Sequence, residues 1–479
     1  MAGIAEIQSG RDLTRRQCLW LAAKLSWPAM MAQLSSIVMQ YIDTAMVGRL
    51  GADDSASVGL MASSLWLFWG ICSAATVGFS VQVAHRVGAR DFEGARKVLR
   101  QALLASVIFG SAVAAVGAAL APSLPAWLGG GPEVCRNASL YFLVFVLALP
   151  VLILNYLGCG VLRASGNMKV PGGLNVLMCA LDVVFNFFFI FPTRATVVFG
   201  AEITLPGLGL GVLGAALGTV LAEVICSSLV MWYLCFRQDG MRIFGTGERG
   251  SFMLRGTVLR NAVKVSVPVA VEHAIICSAQ ITVTLIVAPL GVVAIAANAF
   301  AVTAESLCYM PGYGIGDAAT TLVGQSYGAR RLPLALRLAH VTVGMGMAVM
   351  TLMGVILWLC APYVMEMLTP VEAIKELGTQ VLRIEAWAEP MYAASIVAYG
   401  AMVGVGDTIV PASMNFLSIW VVRIPVAAFL ATRMGLPGVW LAMAVELTFR
   451  GIIFLIRLLR GRWLRHGLHT CLLYTSPSP

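Results

Sequence analysis

A soluble chain of 479 residues would divide into about three domains, but 59% of these residues are apolar and only 11% are charged. That balance excludes an ordinary soluble protein and describes a polytopic membrane protein. The net charge of +9 follows from topology, as argued below, and calls for no nucleic-acid partner.

Crossing about 30 Å of hydrocarbon takes roughly 20 apolar residues. Taken in chain order, such stretches fall at 25–47, 57–81, 99–121, 139–161, 172–193 and 209–235, then at 265–288, 294–322, 338–361, 381–403, 411–432 and 437–459. Backbone groups in lipid pair internally, and spans this long are helices, because barrel strands are shorter and alternate in polarity. The predicted fold class is therefore an all-α polytopic membrane protein with twelve transmembrane helices. The start, with Arg11, Arg15 and Arg16 before an apolar run from Cys18, lacks a small-residue cleavage site, so the first helix is expected to stay.

The two sets of spans repeat one another at an offset of 240 residues. Lys24, Ser26 and Pro28 recur as Lys264, Ser266 and Pro268; Leu50-Gly51 as Leu290-Gly291; Gly88-Ala89-Arg90 as Gly328-Ala329-Arg330; and Gly166, Pro171 and Asn175 as Gly406, Pro411 and Asn415. A register held that long points to duplication. Each copy contains an even number of spans, so the copies enter the bilayer in parallel, as suits two pseudo-symmetric six-helix bundles rocking about a central cleft. The expected organisation is an N-lobe at 1–236, a cytoplasmic connector at 237–262, a C-lobe at 263–465 and a tail at 466–479 that is either disordered or non-native. The outer connection near Thr193 to Pro206 is an insertion of about sixteen residues relative to the second copy. It is expected to form a small hairpin or lid.

Lys and Arg in short loops stay on the cytoplasmic side. The N-terminus and every second loop carry most of the basic residues, in clusters at Arg86 to Arg100, Arg237 to Lys264, Arg330 to Arg337 and Arg450 to Arg465. Both termini are predicted to be cytoplasmic, in a prokaryotic-type inner membrane. Arg383 and Arg423 are left inside the tenth and eleventh spans. The 11 cysteines are scattered without a C-x-x-C pair and read as small packing residues; no structural metal and no cofactor are expected.

An ionisable group at the bilayer centre costs at least about 2.5 to 3.5 kcal/mol. The carboxylates within spans are Asp43, Asp182, Glu223, Glu272, Glu305, Asp317, Glu385, Glu389 and Glu446, and none is acidic at both copies of the repeat. Asp43 corresponds to Val283, Asp182 to Val422, Glu272 to Ala32, Glu305 to Leu65 and Asp317 to Val77. A symmetric frame with asymmetric acids is what chemistry laid over a duplication looks like. For any single acid the alternative is a structural pair with a buried Arg, Lys or helix amide. A carboxyl group removed from water favours its protonated form, so such groups suit proton uptake on one side and release on the other.

The run Asp43-Thr44-Ala45-Met46-Val47-Gly48-Arg49-Leu50-Gly51 resembles the first-helix signature of the multidrug and toxic compound extrusion (MATE) family. Further matches are Gly88-Ala89-Arg90, Leu162-Arg163-Ala164-Ser165-Gly166-Asn167, Ala319-Thr320-Thr321-Leu322-Val323-Gly324-Gln325 and Gly404-Val405-Gly406-Asp407-Thr408, over about residues 20–460. The resemblance implies a secondary antiporter that exports organic cations or drugs in exchange for H⁺ or Na⁺. It makes Asp43 the coupling-ion residue, joined by Asp182 and Asn186 on the fifth span, where the family commonly has Asn followed four residues later by Asp and this chain has the inverse order. It also places Glu272 on the seventh span and Glu305 on the eighth, just before Tyr309, as cation or proton sites. Asp317 stands where an apolar residue is expected.

Glu272 and Gln280 are eight apart and share a helix face, so Gln280 is expected to extend the polar patch. Arg423 is the expected counter-charge for one of these acids. Pro28, Pro150, Pro268 and Pro390 each remove a backbone bond inside a helix and read as hinges or as fixed kinks. The aromatics Trp66, Phe68, Trp69, Phe185, Phe187, Tyr309 and Tyr392, with the methionines, offer walls for flat cations.

The function expected is cation-coupled efflux by a monomer, with small organic cations and the lipid bilayer as partners. H⁺ is preferred over Na⁺ because sodium needs several converging oxygens. A lipid-linked oligosaccharide flippase of the same superfamily would carry several basic residues in the cleft. An integral membrane transferase would show a catalytic cluster, and the sequence contains none.

Overall fold

A computed structural model describes residues 7, 12–198, 201–244 and 250–465. The tail expected at 466–479 and positions 245–249 of the connector lie outside these residues. The first half comprises α1 (Arg15–Gly48), α2 (Ala52–Gly88), α3 (Phe92–Leu120), α4 (Pro132–Ala164), α5 (Lys169–Ile190) and α6 (Gly211–Trp232), the last running into a π-wound turn at Tyr233–Arg237. Between α5 and α6, β1 (Pro192–Val198) pairs antiparallel with β2 (Ala201–Leu208), the hairpin expected of the insertion. The second half comprises α7 (Gly256–Val287), α8 (Val292–Gly328), α9 (Leu332–Leu368), α10 (Glu372–Glu385), α11 (Glu389–Gly404), α12 (Ile409–Met434) and α13 (Leu436–Arg460). Helix α7 begins inside the expected connector, nine residues before the apolar run at 265.

Local chemistry sets the ends. The Thr14 hydroxyl accepts from Gln17 N at 3.3 Å while Thr14 N donates to Gln17 Oε1 at 2.8 Å, a reciprocal cap that starts α1. Asp91 starts α3 by accepting from Gly94 N at 2.8 Å, and its other oxygen holds Arg86 at 2.6 Å.

Among the described residues, ten helices are long and apolar enough to cross a membrane. Two of the twelve expected spans fall outside that set, for different reasons. Helix α1 has 34 residues but carries Lys24, Gln33, Gln40 and Asp43. The tenth expected span is interrupted: the chain turns at 386–388, and α10 and α11, with 14 and 16 residues, are each too short to cross alone. This break corrects the hinge expected at Pro390. Pro390 stands in the first turn of α11, where its missing N–H removes no helical bond. Pro28, Pro150 and Pro268 do lie inside α1, α4 and α7, and Pro311 and Pro362 lie inside α8 and α9.

The repeat extends to the backbone. Arg90 and Arg330, 240 apart, are the two non-glycine residues with positive φ among the described residues, at 62° and 59°. Gly166 and Gly406, at 82° and 86°, end α4 and α11 alike. Side chains cannot adopt this region cheaply, so equal φ at equal offsets means equal turns.

The halves join where α1 packs on α8 and α2 on both α7 and α8. At the basic end of this seam the contacts are reciprocal. A Cβ at Gly88 would lie 2.0 Å from Gln325 O, and one at Gly328 would lie 2.0 Å from His85 O. His85 Nε2 donates to Gly404 O at 2.8 Å, while Gln325 Nε2 donates to Ala164 O at 2.7 Å. Residues 85 and 325, like 164 and 404, are 240 apart, so a pseudo-twofold axis runs through the seam. Substituting Gly88 or Gly328 with Val should cost about 1–3 kcal/mol through overpacking against rigid backbone. Gly173→Ala, at a site with nothing within 4 Å of the added Cβ, should leave the thermal unfolding midpoint unchanged or higher. Equal midpoints for Gly88→Val and Gly173→Ala would show that the seam does not depend on close approach.

Candidate functional site

In the first half, three helices bring polar groups together. Helix α1 supplies Asp43, α5 supplies Asp182 and Asn186 one turn apart, and α6 supplies Thr219. Asn186 Nδ2 donates to Asp43 Oδ1 at 2.9 Å and to Asp182 Oδ2 at 3.2 Å, and lies 3.5 Å from Thr219 Oγ1. Asn186 thus bridges the two carboxyls of Asp43 and Asp182. Asp182 and Asn186 are buried, and the Asp182 Oδ1 and Asn186 Oδ1 atoms have no protein partner. The approach of α5 to α6 depends on Gly218, since a Cβ there would lie 2.1 Å from Asn186 Oδ1. The three residues expected to handle the coupling ion are thus in direct contact. One turn further along α6, Glu223 accepts from Asn155 of α4 at 3.1 Å.

The second half places its acids differently. Glu272 of α7 is buried and accepts from the Tyr399 hydroxyl of α11 and from Asn415 Nδ2 of α12. Asn175 and Ala32, the echoes of Asn415 and Glu272, make the corresponding contact in the first half, where Asn175 Nδ2 donates to Ala32 O and to Ser36 Oγ at 2.9 Å each. A carboxylate has been set into a helix–helix bond that both halves share.

Glu305, Glu385, Glu389 and Glu446 are all buried near one another, and both oxygens of Glu385 and of Glu389 lack a hydrogen-bond partner. Glu446 is paired, with Ser418 Oγ at 2.6 Å and Arg450 Nε at 3.1 Å. Arg423, at the end of the π-wound turn of α12, is the cation whose field reaches Glu305 and Glu385. Tyr309 packs against Tyr313 and Tyr392, with ring centroids 6.0 and 5.6 Å apart, and Arg450 sits 5.3 Å over the Tyr392 ring.

Two expected residues fall elsewhere. Gln280 is exposed two turns beyond Glu272, and among the described residues no side-chain hydrogen bond joins it to that acid. Asp317, expected as a cation ligand, is one arm of an ion pair with Arg163 of α4 at 3.2 Å. This pair crosses from one half to the other and borders a cavity of about 100 Å³ lined by Ser73, Thr76, Ser80, Tyr156 and Thr320.

Sequence reasoning missed Thr219, Tyr399, Asn415 and Arg450 as partners of the acids. Asn415 had a signal, as the echo of Asn175. Thr219 had none, because its role comes from the α5–α6 approach. If the Tyr399–Glu272 bond is energetic, a double-mutant cycle of Tyr399→Phe and Glu272→Gln should give a coupling of about 0.5–3 kcal/mol in unfolding free energy. Additivity within about 0.3–0.5 kcal/mol would remove Tyr399 from the site.

Known proteins bear the same pattern. A probable multidrug resistance protein NorM of Thermotoga maritima is 24% identical over 453 residues, covering 93% of each chain. A crystal structure of MATE in the straight conformation superposes with a TM-score of 0.86 at 21% identity, covering 97% of this chain and 99% of that one. A multidrug resistance MATE family transporter of the MOP superfamily, in an outward-facing conformation, gives 0.85 at 21% identity with the same coverage. The sequence profile of the MatE family matches residues 28–188 and 268–429, one block in each half and together more than half of the chain. The chain belongs to the MatE family of membrane transporters.

Proposed function

We propose that this protein is a cation-coupled multidrug efflux antiporter that exports organic cations in exchange for protons. The observation that carries the reading is the Asp43–Asn186–Asp182 cluster. Two carboxyls bridged by one amide donor crowd like charge into one buried site, which favours a proton on the pair. A shared proton satisfies them, and its loss leaves a negative site between α1, α5 and α6. The unclaimed oxygens of Asp182 and Asn186 add acceptors that a proton or a small cation can use. A proton needs only a carboxylate, whereas sodium needs several converging oxygens, which favours a proton over sodium.

In this reading α1 and the broken pair α10–α11 complete twelve spans in two lobes, with both termini in the cytoplasm. The glycine-lined seam at the basic end closes the cytoplasmic side, so the cleft opens outward. Drug enters after the lobes reorient. Protonation from outside and cation binding compete for the same negative charge, and differential affinity for the two states couples them. Acids rather than bases near the cleft disfavour a flippase that carries a pyrophosphate.

In proteoliposomes, an imposed proton gradient should drive uptake or release of a cationic dye by the wild-type protein, and a sodium gradient alone should not. Asp43→Asn should abolish that transport while leaving the purified protein folded, and should remove dye resistance in an exporter-deficient host. Undiminished proton-driven transport by Asp43→Asn would overturn the coupling role. Transport driven only by sodium would replace the ion.

A further inference from the structure

A groove of about 1140 Å³ lies on the flank of the second half, between α9, α10 and α13 and away from the buried acids. Helix α10 presents Lys375, Glu376 and Arg383 to this groove, while Glu385 faces inward from the opposite side of the same helix. The groove is graded. Glu366, Glu372, Lys375 and Glu376 line one end, near the loop between α9 and α10. Trp358, Arg383 and Trp387 form its middle, and Leu441, Ala444 and Val445 of α13 form an apolar floor.

The middle has the composition of a membrane interface. Aromatic rings and Arg favour the headgroup level, and Trp358 and Arg383 stand at the ends of the ninth and tenth apolar runs. The guanidinium lies 5.0 Å over the Trp358 ring and spends one N–H on Trp358 O at 3.4 Å. Lys375 is held by Glu372 at 3.1 Å. Among the described residues, no ion pair engages Arg383, Glu366 or Glu376. The groove therefore offers one unpaired cation and two unpaired anions above an apolar trough.

We propose that this groove is a binding site for an aminophospholipid of the outer leaflet. Its phosphate meets Arg383, its primary ammonium donates to Glu366 and Glu376, and an acyl chain lies along Leu441 and Val445. A purely anionic headgroup leaves the two carboxylates unpaired. A quaternary ammonium fits the charge but has no N–H to give them. The leaflet assignment rests on the orientation proposed above; the site itself does not.

The test is competitive retention by the purified, delipidated transporter, read by native mass spectrometry with equimolar phosphatidylethanolamine, phosphatidylcholine and phosphatidylglycerol. Wild type should retain phosphatidylethanolamine roughly tenfold over the other two, the order expected for hydrogen bonds to a charged group. Arg383→Gln and the double variant Glu366→Gln/Glu376→Gln should each bring the ratio near unity, and Arg383→Lys should restore most of it. The two glutamates are exposed, so their variant keeps the test valid if Arg383→Gln fails to fold. Equal retention of all three lipids by wild type, or a preference that survives both variants, would mean an unselective lipid annulus and overturn the site. A green fluorescent protein fused to the C-terminus separates the two readings. Fluorescence in cells supports the outer leaflet, whereas a dark fusion overturns that assignment and leaves the retention result standing.

Discussion

In hydrocarbon, two helices gain nothing by hiding apolar side chains from one another, because lipid is as apolar as leucine. What holds them is close backbone approach and satisfied polar groups, and this structure depends on both at one seam. Gly78 admits Ala262 O, Gly314 admits Met30 N, and Gly88 and Gly328 admit the carbonyls of Gln325 and His85. Ser266 Oγ bridges the same join, accepting from Gly78 N and donating to Ala75 O at 3.1 Å each. Without side chains at those glycines the halves touch backbone to backbone, and the few polar bonds that cross become short and paired.

The carboxylates follow a different logic. The frame is symmetric to the level of individual φ angles, yet the acids occupy unrelated positions in each half. In the first, Asp43 and Asp182 share one asparagine while Glu223 takes another, and in the second one is embedded in a helix–helix bond while others crowd the break between α10 and α11. Each half solves the cost of buried charge locally: by an amide donor at Asn186, by Tyr399 and Asn415 around Glu272, by Arg450 and Ser418 at Glu446. Both oxygens of Glu385 and of Glu389 lack a hydrogen-bond partner among the described residues.

Much of this was legible before any coordinates. The duplication, the helical class and the hairpin insertion were all written in spacing and hydropathy. The resemblance named Asp43, Asp182 and Asn186 as one functional group, and the one-turn separation put the last two on one helix face; the bond from Asn186 to Asp43 is seen only in the structure. The break in the tenth span was hidden because its residues are apolar on average. Only the polar stripe Glu372, Lys375, Glu376, Gln380 and Arg383 ahead of it marks α10 as a surface helix. The Arg163–Asp317 pair was out of reach, since its partners are 154 residues apart and neither sequence neighbourhood specifies the other. Gln280 shows the opposite failure. Sharing a face with Glu272 says nothing about burial two turns away.

Pro150 and Pro390 occupy matching positions, yet one lies inside a continuous helix while the other opens a fresh helix after a turn. A continuous helix transmits force along its whole length; a joint does not. A load along α4 meets no break between residues 132 and 164, whereas a load along the matching stretch of the second half meets the turn at 386–388. The duplicated architecture therefore contains two mechanically unlike arms.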